Sequence, residues 1–130
     1  ELCEGQKLTD RIDLPTAKPD RRHVYNQYTV RVGEGRRDEV QNSLREQQIG
    51  AAIYYPTPLH LQECFAGLGY KQGQLPEAER ASAEVLSLPI FAELTDAQQD
   101  RVVEGLATAL GAANPATVAY PFGMPDSKAA

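Results

Sequence analysis

Long apolar runs are missing from this chain of 130 residues: none extends beyond a handful of positions, whereas a membrane-spanning helix needs about 20. No basic stretch precedes an apolar core at the start, so neither a membrane segment nor a secretory leader is expected, and a cytoplasmic location follows by default. Cysteine is scarce. Cys3 and Cys64 stand at a spacing that matches no ligand or redox motif, and a chain of this size does not depend on a covalent staple, so neither is expected in a disulfide. Positive charge is in short supply as well. With 13 basic against 18 acidic side chains and a net charge of -5, no dense basic face is available, which argues against a general nucleic-acid binder. Internal repeats and low-complexity segments are also absent.

What remains is an ordinary globular composition, 42% apolar and 24% charged, enough for one domain burying roughly two thirds of the surface of its unfolded form. The charge is uneven: residues 1–60 carry nine basic and nine acidic side chains, residues 61–130 four against nine, so the second half is the acidic one. The first residue is Glu1 rather than an initiator methionine, and the chain is expected to be cut from something longer or to have lost a tag.

Residues 1–23 mix Thr, Asp, Pro and Lys with isolated apolar residues and read as an irregular lead-in. From Val24 to Val32 the pattern alternates and is rich in β-branched and aromatic types, predicting a strand that Gly33 and Gly35 end. Arg37 to Gln47 sets Val40, Leu44 and the stem of Gln47 on one stripe, a helix of about three turns. Gly50 to Tyr54 reads as a short second strand, and Pro56 with Pro58 then force an extended loop. A short helix over Leu61–Ala66 follows, then a helix opened by Pro76 with Glu77 and Glu79 near its positive end. Val85 to Leu88 is a third strand, closed by Pro89. Thr95 and Gln98 form a capping box before a helix whose stripe is Val102, Val103, Leu106 and Leu110. Residues 113–130 read as a loose tail. Three short strands are too few for a doubly wound sheet. The order predicts an α+β domain over residues 24–112: a small, mainly antiparallel sheet of three to four strands with helices on one face.

The motifs with chemical content cluster around the two prolines. Tyr54-Tyr55-Pro56-Thr57-Pro58-Leu59-His60-Leu61-Gln62 makes a stiff loop carrying rings with polar tips, a combination suited to sugars at low ordering cost. His60 and Cys64 stand four apart with Glu63 beside them, the helical spacing of two zinc ligands, yet no second pair completes a site and no metal is expected. A Cys–His hydrolase fails likewise, since no residue is evident to orient the base. Arg21, Arg22, Arg31, Arg36 and Arg37 could meet a diphosphate, but scattered arginines are more often a solvated face.

Five blocks in order, His23 to Tyr28, Leu44 to Ile49, Tyr54 to Gln62, Leu75 to Glu79 and Leu86 to Pro89, make residues 14–106 resemble the C-terminal part of the DegT/StrS-type aminotransferases. These are pyridoxal-phosphate enzymes that put amino groups on nucleotide-linked sugars. The resemblance implies the C-terminal small domain of a fold-type I aminotransferase, with pyridoxal phosphate and a nucleotide sugar as ligands of the full-length enzyme only. The Schiff-base lysine, the aspartate at the pyridine nitrogen and the phosphate cradle of that family lie in its large domain, so no catalytic or cofactor-binding residue is expected here. Lys7, Lys18, Lys71 and Lys128 all stand in loops or tails, not in the shielded pocket an imine-forming lysine needs. The resemblance points to Tyr55 and His60, with Tyr54, as sugar-pocket residues; His23 and Asn26 are candidates near the domain cleft. One departure is Gln48, where the family usually has glycine, and the helix before it is expected to end differently. The alternative is a free-standing binding or assembly module that keeps the fold and forms a homodimer through Tyr54, Leu59 and Phe65.

Overall fold

In a computed structural model, which describes Cys3 and residues 8–111, a three-stranded antiparallel sheet is the centre of the domain. Strands β1 (Ile12–Asp13), β2 (Tyr28–Val32) and β3 (Val85–Leu88) lie in that spatial order, with Ile12 opposite Val32 and Val30 opposite Leu86. Because side chains alternate across a strand, Ile12, Tyr28, Val30, Val32, Leu86 and Leu88 share one face, and Thr29, Arg31 and Ser87 the other. The helices α1 (Arg37–Glu46), α2 (Pro76–Glu84) and α3 (Asp96–Ala109) complete the α+β fold. Val40 and Leu44 of α1 and Leu106, Ala107 and Ala109 of α3 join the apolar face of the sheet in one core.

The strand expected from Val24 is shorter, and its neighbour across the sheet shows why. The register that sets Tyr28 opposite Leu88 would set Gln27 opposite Pro89, which has no N–H to donate, and Tyr25 bends away at φ 45°. Val24 is left 77% exposed. The strand expected over Gly50–Tyr54 reduces to one bridge, Ala52 with Ser87, closed by hydrogen bonds of 2.9 and 2.8 Å. The short helix expected from Leu61 is a pair of 3-10 turns, Leu59–Leu61 and Glu63–Leu68. In the other direction, the segment read as an irregular lead-in supplies β1 and a 3-10 turn at Leu8–Asp10, with Leu8 and Ile12 buried in the core. The tail expected over 113–130 lies outside the described residues.

Local signals in the helices are obeyed. Thr95 caps α3, accepting from the Gln98 amide at 3.3 Å while Gln98 Oε1 accepts from the Thr95 amide at 3.0 Å. Gln48 does not make α1 end differently. It adopts the left-handed conformation itself, φ 59°, so that Ile49 donates to Leu44 at 2.9 Å and Gln48 to Arg45 at 2.9 Å, the pair of bonds of a Schellman terminus. Burying Ile49 in the core behind it holds Gln48 in a conformation that favours glycine. Gln48→Gly should therefore stabilise the domain by about 1 kcal/mol, read as a higher denaturant midpoint at unchanged slope.

Candidate functional site

The loop between Tyr54 and Leu61 is pinned to α2 at two places. At its start the backbone turns at Tyr55, φ 59°, a conformation that costs a non-glycine residue about 1–3 kcal/mol and persists only where the surroundings enforce it. The enforcement comes from Ser82, a buried residue of α2, whose hydroxyl lies 3.0 Å from the Tyr55 carbonyl and 2.8 Å from that of Pro56, its one proton shared between them. Ser82 is fixed in turn by Arg37 of α1, which donates to its carbonyl at 2.9 Å.

At the other end of the loop His60 is nearly enclosed, its side chain 6% exposed, with Nε2 lying 3.1 Å from Oε1 of Glu79 and its ring edge-on to Tyr70. The same carboxylate accepts from the Gly73 amide at 2.8 and 3.0 Å and from the Leu75 amide at 3.4 Å. Burial alone would raise the pKa of Glu79. The Gly73 amide, the His60 ring and the Leu75 amide outweigh it together and hold the carboxyl below its usual range. An ionised carboxylate only accepts, so Nε2 of His60 carries the proton of that hydrogen bond.

Between the loop and α2 lies an open cleft of about 410 Å³. Tyr54, Tyr55, Leu59 and Leu75 stand around it, and Ala78, Ala81 and Ser82 line it from the helix, small residues that leave the space free. The cleft thus brings Tyr54, Tyr55 and His60 together. Tyr55 is 68% exposed and Tyr54 49%. Asn26 stands apart, in a neighbouring depression that it shares with Tyr54, Ile90 and Phe91. His23 lines neither of these; it is exposed, its Nδ1 accepts from the Tyr25 amide at 2.9 Å and its ring stacks on Tyr25 at 4.1 Å.

Three of the five arginines are committed to the fold itself. Arg31 pairs with Glu84 at 2.7 Å, Arg36 binds Glu39 and the carbonyls of Ala109 and Leu110, and Arg37 holds Asp38 and Ser82. The Cys64 thiol is exposed and lies 3.9 Å from Gln62 Oε1, while His60 faces Glu79. Lys18 and Lys71 are both exposed, and neither lines the cleft. Glu79 and Ser82 were not singled out by sequence reasoning. Glu79 reads as a helix-dipole partner; the one available hint was a serine among alanines on the face of α2 that meets the loop.

The sequence pattern of the DegT/DnrJ/EryC1/StrS aminotransferase family matches residues 5–107. The chain belongs to that family. It is 54% identical over 102 residues to a pleiotropic regulatory protein of Geobacillus stearothermophilus, covering 78% of this chain and 27% of that one. It is 39% identical over 106 residues to a dTDP-3-amino-3,4,6-trideoxy-alpha-D-glucose transaminase of Streptomyces venezuelae, covering 82% and 27%. Among solved structures it superposes on S. venezuelae DesV in complex with a ketimine intermediate, with a TM-score of 0.74, 33% identity and coverage of 87% and 31%. It also superposes on the crystal structure of ntda from Bacillus subtilis with bound cofactor PMP, with a TM-score of 0.68, 29% identity and coverage of 85% and 27%. The chain spans about a quarter of the length of the curated relatives it matches. Among the described residues no helix is long and apolar enough to cross a membrane.

Proposed function

We propose that this chain is the C-terminal small domain of a pyridoxal-phosphate-dependent aminotransferase acting on nucleotide-linked keto sugars. The reading rests on the cleft that brings Tyr54, Tyr55 and His60 together against α2. Tyrosine rings present a flat apolar face to the carbon side of a hexose and a hydroxyl to its edge, and a loop stiffened by Pro56 and Pro58 loses little entropy on binding. Tyr55 and Tyr54 are the sugar contacts in this reading, His60 lines the pocket behind them, and Asn26 and His23 stand further along the face turned toward the rest of the enzyme. Membership of an aminotransferase family, a similar transaminase of a dTDP-sugar and a similar structure holding PMP support the reaction class.

Pyridoxal phosphate, when bound, supplies the electron sink for amino transfer. This chain's own part is to bind and orient the sugar and to exclude water from one side of it. Catalytic inertness of the chain by itself follows. Purified chain mixed with pyridoxal phosphate should develop no band at about 420 nm, the region of an internal aldimine; a stable yellow adduct on any of the four lysines would overturn the reading. A second reading, an assembly module, is favoured by one observation: Tyr54, Leu59 and Phe65 are 49, 57 and 40% exposed. A tight dimer by sedimentation, lost when Leu59 is made polar, would favour it over the first.

A further inference from the structure

We propose that Glu79 and Ser82, one turn apart on α2, are positioning residues that hold the tyrosine wall of the cleft in its sugar-binding shape, acting through His60 and through the strained turn at Tyr55. The inference rests on the cleft's being a sugar site, and it adds the device that shapes it.

Three observations converge. The two residues are separated by three positions, so they lie side by side on the helix, and each grips one end of the loop: Ser82 at the carbonyls of Tyr55 and Pro56, Glu79 at His60. Both grips are sheltered, with Ser82 7% exposed and the Glu79 side chain 19%, so water competes poorly for either bond. Finally, the Tyr55 turn is one that the tyrosine would not choose, and a strained residue kept in place at a cleft needs bonds that over-determine it. Pro56 at the first grip and Pro58 between the two have no N–H and few conformations; fixing the two ends therefore fixes the whole wall. Glu79 does more, since its oxygens also collect the Gly73 and Leu75 amides and so tie down the segment that follows Tyr70, whose ring stands edge-on to His60. Neither residue needs to touch a sugar.

The test is NMR of the full 130-residue chain, without any sugar, as wild type, Glu79→Gln and Ser82→Ala. In Glu79→Gln the His60 ring nitrogens should lose the signature of a single Nε2–H tautomer, and the Gly73 amide should exchange roughly tenfold faster, the loss of one bond to a charged acceptor. In Ser82→Ala the Tyr55 ring and amide signals should move toward averaged values. In both, the Ile49 amide at the end of α1 should keep its protection, because that bond belongs to the core. If His60 and Tyr55 signals stay put in both variants, or if Ile49 loses protection in step with them, the positioning role is wrong; should Glu79→Gln fail to fold, Ser82→Ala decides alone by the same signals. Because no nucleotide sugar enters the measurement, a negative result leaves the proposed function standing, and loss of that function would leave these signals unchanged.

Discussion

Leu44→Ala should lower stability by about 2–5 kcal/mol, read as a large fall in the urea midpoint with the slope retained. Leu44 is 0% exposed and stands on the stripe of α1 that meets both the sheet and α3. Removing three carbons there loses their transfer from water and leaves a cavity beside Gly105 of α3, where helix backbone with no side chain cannot fill the space. Domains of this kind have about 5–15 kcal/mol in all, so the single change consumes a large share. The backbone is spared: the carbonyl of Leu44 still accepts from Ile49, and the end of α1 is expected to survive as long as the fold does.

Gly105→Leu should be nearly as damaging, for the opposite reason. A glycine inside a helix gives up about 1 kcal/mol relative to alanine, so its presence in α3 calls for a contact that needs it. The contact is with α1: a Cβ placed on Gly105 collides with Cδ1 of Ile49 and comes within 3.0 Å of Gln47 Oε1 and 3.4 Å of Leu44 Cδ2. Ile49 is 6% exposed and has little room to yield, and Gln47 is held by its own bond to the Gly105 carbonyl at 3.2 Å. Overpacking by extra methylenes costs about 1–3 kcal/mol and exceeds the gain in helix propensity, so the thermal midpoint should fall. Gly105→Ala is the informative control: there propensity and clash are of similar size, and the sign depends on whether the end of the Ile49 side chain can swing aside.

The two core variants act on the α1–α3 contact, whereas the cleft lies between α2 and the proline loop. Loss of stability by Leu44→Ala and loss of cleft order by Ser82→Ala are therefore expected to be separable in their signals, because Leu44 packs in the core while the Ser82 hydroxyl bonds the loop carbonyls of Tyr55 and Pro56.

The parts of this protein written in short-range chemistry were readable along the chain. The Thr95–Gln98 capping box, the Val40–Leu44 stripe, the stop at Pro89 and the loop forced by Pro56 and Pro58 each depend on residues within about a turn of one another, and each appears in the structure where the pattern puts it. Tyr54, Tyr55 and His60 stand in one short run and line one cleft, but their reading as sugar contacts came from the family resemblance rather than from local chemistry. Tertiary structure decided the rest. Whether residues 24–27 join the sheet depends on Pro89, more than 60 positions away, and whether Ile12 is sheet or lead-in depends on finding Val32 beside it. Gln48 takes a glycine's conformation because Ile49 is buried behind it, and Glu79 leaves the role of a dipole partner because folding brings His60, from 19 residues back, against it. Periodicity and capping are properties of a segment, while strand pairing, strain and the partner of a buried polar group belong to what packs against it, and only the folded chain supplies that neighbour.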